Sequence, residues 1–225
     1  MNVKRKIAIL LKLLTAGSAL GGVFLSLLQA NLDGYGHWSK RLLYFTGQSN
    51  IWIGLTCLVL TFAHLFTFSQ RALHTLYLLK YVFTVSITIT GLVFCTLLAP
   101  FADESYHLFS LSSYLTHIFS PAFALADFFV DEFPFPLTLK HFSCAIIPPL
   151  FYFLSTMLFS GLRVDFGRGE LYPYYFLNFR SPAGFFGFSN QAPFFIGSVY
   201  WVVLFIGLIY AVAFILARLR NKTNS

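Results

Sequence analysis

The chain has 225 residues, of which 57% are hydrophobic and only 10% charged, with 29 Phe and a formal net charge of +7. A water-soluble domain carries about 25% charged residues because water has to solvate its outside, so most of this chain must be surrounded by lipid. That excludes a cytosolic enzyme, a secreted domain and a nucleic-acid-binding protein, and it makes the excess of 15 Lys+Arg over 8 Asp+Glu a topological signal, since basic residues collect beside membrane spans on the cytoplasmic side.

About 20 mostly apolar residues are needed to cross a bilayer as a helix. Six stretches qualify: 7–28, 42–68, 76–100, 111–130, 142–159 and 194–217. The expected fold is all-α, a polytopic membrane protein with six transmembrane helices in one bundle, and one domain over 1–225. The first stretch follows Lys4, Arg5 and Lys6 as a signal peptide would, but it is too long and has no A-x-A cleavage site, so it reads as a retained helix. Cys57, Cys95 and Cys144 each lie in an apolar run without CxxC or His-rich spacing and read as packing residues. No metal and no cofactor are expected.

Orientation follows from the basic residues in short loops and their flanks. One side has Lys4, Arg5, Lys6, Lys12, Arg71, Lys80, Lys140, Arg218, Arg220 and Lys222; the other has Lys40, Arg41, Arg163, Arg168 and Arg180. Ten against five places both termini in the cytoplasm, in the inner cell membrane if the source is prokaryotic, and the connection 160–193 outside.

The second span carries a polar row. From Thr46, the residues Ser49 and Asn50 fall at i+3 and i+4, Ile53 at i+7, Cys57 at i+11, Thr61 at i+15 and His64 at i+18, which is one helix face. The fourth span carries a second row, Ser113, His117, Pro121 and Ala124, with Ser120 beside it. Small residues let helices approach closely, and an imidazole is not placed against lipid tails, so both rows are expected to face the bundle interior. Thr46 and His117 both lie roughly 6–9 Å below the outer boundary. A hydroxyl and an imidazole at one depth permit nucleophilic catalysis, with the neutral imidazole taking the proton of the attacking hydroxyl. The orienting carboxylate is not evident: Asp127 lies about 15 Å deeper on the same helix, and Asp165 or Glu170 would have to fold in from the outer loop.

That loop, 160–193, carries Arg163, Asp165, Arg168 and Glu170 and then the aromatic run from Leu171 to Phe179, including Tyr172 and Tyr174. Tyr rings suit the membrane interface, so the segment is expected to lie across the outer mouth as a lid or short interfacial helix. The Pro148-Pro149 pair is expected to kink the fifth span.

Three segments carry a resemblance: Arg41-Leu42-Leu43-Tyr44-Phe45-Thr46-Gly47-Gln48-Ser49-Asn50, then His117-Ile118-Phe119-Ser120-Pro121 followed by Asp127, then Leu171-Tyr172-Pro173-Tyr174. In order, spacing and six-span layout the chain resembles the predicted six-pass membrane family related to the androgen-induced gene 1 and androgen-dependent tissue-factor-regulating proteins. The resemblance implies an integral-membrane hydrolase of lipid esters, notably fatty acid esters of hydroxy fatty acids. Thr46 matches the family's threonine nucleophile and His117 its histidine. Gln48, Ser49, Asn50, Ser120, Tyr172, Tyr174 and Asp127 are the supporting or pocket positions. After the threonine, Gly47-Gln48-Ser49-Asn50 resembles the prokaryotic branch, whose substrates the resemblance does not imply. The expected partners are membrane lipids and a lipid ester substrate.

Two other readings stay open. A non-enzymatic multi-pass scaffold would use Asp127, Asn50 and Gln48 only to bond between helices and would hold a partner protein. A haem protein would need two His facing each other at one depth, with His64 and His141 toward the cytoplasmic side or His117 with His37 or His107 outside.

Overall fold

The structure is a computed structural model that describes residues 3–63, 66–101 and 110–223. His64 and His107 lie outside the described residues. Among the described residues six helices make up the fold. Val3–Gln29 is α1, Phe45–Ala63 is α2, and Gln70–Val93 is α3, which runs on through a π-helical turn, Phe94–Leu98, and a 3-10 turn, Ala99–Phe101. Leu111–Tyr114, a π-helical turn Leu115–Phe119 and Ser120–Val130 together form α4; Leu139–Gly161 is α5 and Ser198–Thr223 is α6.

Four segments among the described residues are long and apolar enough to cross a membrane: Val3–Gln29, Gln70–Phe101, Leu139–Gly161 and Ser198–Lys222. This is the pattern of a multi-pass membrane protein. The expected second and fourth crossings differ. Helix α2 begins only at Phe45, because Trp38–Leu43 winds as a 3-10 turn and Tyr44 is extended, and its first turns are polar with Thr46, Gln48, Ser49 and Asn50. Helix α4 keeps the expected limits but is divided by its π turn.

The polarity of the molecule is inverted. Leu10, Leu154, Val203, Leu204 and Ile215 are exposed, whereas Lys12, Lys80 and Asp127 are fully buried. An outside of Leu, Val and Ile suits lipid, and polar groups then belong inside. Helix α3 is central and packs against α2, α4, α5 and α6, while α1 covers α2 and α4. Close approach depends on small residues. A Cβ added at Gly22 would fall 2.7 Å from Thr116 Cγ2, and one at Gly91 would meet the His117 carbonyl oxygen at 3.1 Å. Any larger residue at either place would push α4 away from its neighbours.

Two polar clusters lie at opposite ends of α4. At its C-terminal end Lys12 bonds Asp127 (3.0 Å) and Asp131 (2.6 Å), and Lys80 bonds the same two carboxylates at 2.6 and 2.7 Å. Arg220 caps the helix end, donating to the carbonyls of Phe129 (2.8 Å) and Asp131. The cluster joins α1, α3, α4 and α6. Lys12, Lys80 and Arg220, counted above as loop-flanking charges, are buried partners of this network, so seven of the ten basic residues on that side remain as exposed topological charges.

The remaining limits shift for local reasons. Helix α5 starts at Leu139 rather than 142 because the Thr138 N–H donates to His141 Nδ1 (2.9 Å), which caps the first turn. It continues through Pro148 and Pro149. Helix α6 starts at Ser198, later than 194, and runs to Thr223, past the expected end at 217.

Candidate active site

Thr46 is the second residue of α2, at the end where backbone N–H groups have no partner inside the helix. The chain reaches it through a tight corner: a Cβ at Gly47 would stand 3.0 Å from the Arg41 carbonyl oxygen. Gln48 Nε2 donates to the Leu42 carbonyl (3.0 Å) and fixes the preceding turn. Asn50 Nδ2 donates to the carbonyls of Thr46 (2.8 Å) and Thr116 (3.1 Å), holding α2 against α4 one turn below. The Ser49 and Thr90 hydroxyls meet at 2.9 Å and hold α2 against α3.

His117 is at the middle of the π turn of α4 and is buried. An extra residue per turn re-aims side chains, and such turns recur where a helix carries chemistry. The Ser120 hydroxyl donates to the Leu115 carbonyl (2.8 Å) and so supports this turn rather than touching Thr46. Nδ1 of His117 is 3.0 Å from the Ser113 carbonyl oxygen and 3.1 Å from Thr116 Oγ1, whose own proton goes to the Ser112 carbonyl at 2.8 Å. Both neighbours accept, so Nδ1 carries the proton and Nε2 presents its lone pair. Nε2 faces Thr46 Oγ1 at 3.3 Å. A stacked Phe94 covers one face of the ring.

Tyr174 descends from the 160–193 connection onto this pair. Its hydroxyl is 3.5 Å from Thr46 Oγ1 and accepts from the Thr46 N–H at 3.4 Å. Its ring packs edge-on to Tyr44 and stacks on Phe176. Burial pushes the phenol above its ordinary pKa, so the O–H keeps its proton.

The structure thus brings together Thr46, His117 and Tyr174, with Gln48, Ser49, Asn50 and Ser120 as supports. Tyr172 lines the same cleft. Asp127 is elsewhere, in the buried ion cluster. No carboxylate among the described residues orients His117, because the Ser113 carbonyl fills that position. Asp165 bonds Lys40 (2.5 Å), which holds its carboxyl below the ordinary range, and Glu170 lines the cleft. Phe94 and Thr116 were not anticipated. Thr116 neighbours His117 in sequence, but the π turns that present both residues leave no mark in the apolar pattern.

Two cavities meet at Thr46. A polar cleft with about 1610 Å³ of unfilled space, its open mouth included, is lined by His117, Arg41, Ser113, Arg168, Glu170 and Tyr172 among others. A second cavity of about 780 Å³, measured the same way, is almost wholly apolar and lies between α3, α5 and α6. Thr46, Leu98 and Tyr174 line both, whereas His117 lines only the cleft. No group of three or more His, Cys, Asp or Glu that could hold a metal occurs among the described residues. No family model, no curated protein and no solved structure matches the chain.

Proposed function

We propose that this chain is a membrane-embedded hydrolase of lipid esters, a six-helix bundle with both termini cytoplasmic and the Thr46 site toward the outer leaflet. The observation that carries the reading is the 3.3 Å approach of Thr46 Oγ1 to the unprotonated Nε2 of His117, made where a polar cleft and an apolar cavity join. An amphiphile needs both environments.

In this reading Thr46 Oγ attacks the ester carbonyl carbon while its proton passes to Nε2, and the Ser113 carbonyl stabilises the imidazolium through Nδ1–H. Negative charge develops on the former carbonyl oxygen. The N-terminal end of α2 favours that charge, and the Tyr174 O–H is a donor within reach of the reacting oxygen. Collapse of the adduct breaks the ester C–O bond, and the alcohol oxygen takes the proton from Nε2. Water, deprotonated by the same nitrogen, then releases the acid from Thr46.

Labelling with a fluorophosphonate probe tests the reading. Wild type is expected to label at Thr46 and to lose lipid-ester hydrolysis as it does so, and Thr46→Ala is expected neither to label nor to hydrolyse lipid esters. Equal labelling and hydrolysis in Thr46→Ala would refute it.

A further inference from the structure

Resting on that reading, the two cavities also say which half of the ester goes where. His117 must hand its proton to the leaving alcohol oxygen, so the alcohol has to lie on the His117 side of Thr46. His117 lines the polar cleft and not the apolar cavity. We infer that the cavity between α3, α5 and α6 is the acyl-chain subsite and that the alcohol departs into the polar cleft. As the Thr46 Oγ–acyl carbon bond forms, the ester C–O bond breaks, and the hydroxyl proton of Thr46 ends on the alcohol through Nε2.

The cavity has the shape this needs. Its lining joins the cleft at Thr46 and Tyr174 and includes Ile89, Ile146 and Ile209, one from each of the three helices, which belong to the bundle's apolar core or pack against it and so form the end away from the cleft. Tyr152 packs on Phe45 with ring centroids 5.2 Å apart and so marks the level of Thr46 on α5. From Tyr152 to Ile146 is about 9 Å along the helix, and from Val202 to Ile209 on α6 about 10 Å. An extended chain of C–C bonds advances roughly 1.3 Å per carbon, so about seven or eight carbons beyond the carbonyl reach the isoleucine floor. Leu150 and Ile206, 42% and 36% exposed, line the cavity on α5 and α6 and face the surroundings of the bundle. An acyl chain enters between them directly from lipid, and chains longer than the floor allows leave by the same gap.

The test uses the full chain in lipid nanodiscs. A fatty acid with a photoreactive diazirine near its eighth carbon, applied to Thr46→Ala, is expected to attach within 146–153 and 202–209, and Ile206→Trp added to this background should reduce attachment at least fivefold. Attachment spread over the outer faces of the helices, or undiminished by the tryptophan, would overturn the inference. Against p-nitrophenyl esters, Ile206→Trp should lower the octanoate-to-acetate ratio of kcat/KM at least tenfold, and Ile209→Ala should move the optimum to longer acyl chains. An unchanged ratio in an active Ile206→Trp enzyme overturns the acyl assignment and leaves the hydrolase reading standing. Cavity labelling by the photoreactive acid in a protein that hydrolyses no ester would instead keep the acyl site and sink the hydrolase.

Discussion

The ring of Phe94 lies flat on the imidazole of His117, centroids 3.9 Å apart and planes 18° from parallel. Each residue belongs to a π-helical turn, one in α3 and one in α4, so two wide turns face each other across the helix pair at the point where chemistry is proposed. The stack leaves the imidazole one plane to occupy. Its two nitrogens then point at the Ser113 carbonyl and at Thr46 without further adjustment.

Phe94→Leu keeps an apolar side chain but removes the flat surface. The imidazole gains freedom to tilt, and catalysis loses alignment rather than a reacting group. Hydrolysis should fall about tenfold, roughly 1.4 kcal/mol in the barrier, through kcat more than KM. A steady-state comparison with wild type in the same nanodiscs checks this. An unchanged kcat would mean that the stack only fills space.

Thr46→Val deletes the hydroxyl and keeps the shape, and in a partly buried position it removes a polar group rather than stranding one. The protein should stay folded and hydrolysis should be lost. Thr46→Ser is the paired control, expected to keep partial turnover and probe labelling because a hydroxyl still faces Nε2. If a well-folded Thr46→Val hydrolyses lipid esters at the wild-type rate, the nucleophile is another group; if Thr46→Val unfolds while Thr46→Ser does not, the hydroxyl is a structural hydrogen bond.

Tyr174→Phe separates the hydroxyl from the ring. The packing against Tyr44 and Phe176 remains, while the Thr46 N–H loses its acceptor and the proposed oxyanion loses a donor. A single oxyanion donor is worth about two orders of magnitude in kcat. Turnover should drop by about that factor with the thermal midpoint little changed, as measured by hydrolysis and by melting of the same sample.

Much of this arrangement is legible in the sequence because helix periodicity is rigid. The 3.6-residue repeat puts Thr46, Ser49 and Asn50 on one face, and the span limits put Thr46 and His117 at one depth, as the 3.3 Å contact has them. What orients His117 is not legible. A backbone carbonyl performs the task, and every residue has one, so no side-chain search finds it. The function of Asp127 was obscured for a related reason: its partners, Lys12 and Lys80, sit near span ends, where cationic residues are ordinarily read as flanking charges. Only the packing of α1, α3 and α4 turns them inward.

Topology has its own test. With Lys12, Lys80 and Arg220 buried on one side and Lys40 and Arg41 half-buried in ion pairs with Asp165 and Asp33 on the other, the exposed basic residues still favour the side expected to hold both termini, seven against three. Single cysteines placed between 163 and 178, in a background without Cys57, Cys95 and Cys144, should react with an impermeant maleimide from outside intact cells. Reaction only after the cytoplasm is opened would reverse the orientation and with it the leaflet that supplies substrate.

The ion cluster makes the sharpest prediction about stability. Lys12 and Lys80 each contact both Asp127 and Asp131, and all four side chains are cut off from solvent. Removing one carboxylate leaves two ammonium groups sharing the other, and breaking a buried pair from one side costs about 3–5 kcal/mol. Asp127→Asn should therefore lower the thermal midpoint sharply. The damage comes from the stranded charge rather than from a lost attraction, so removing an ammonium as well should undo part of it. Lys80→Met combined with Asp127→Asn is expected to be more stable than Asp127→Asn alone, and the coupling from the double-mutant cycle should exceed about 1 kcal/mol. Strict additivity would mean that the two groups do not interact. A fully unfolded single variant rescued by the double one would bear out the stranded-charge account most directly, and hydrolysis at the Thr46–His117 pair, whose histidine lies about 15 Å from Asp127 along α4, should return with the fold.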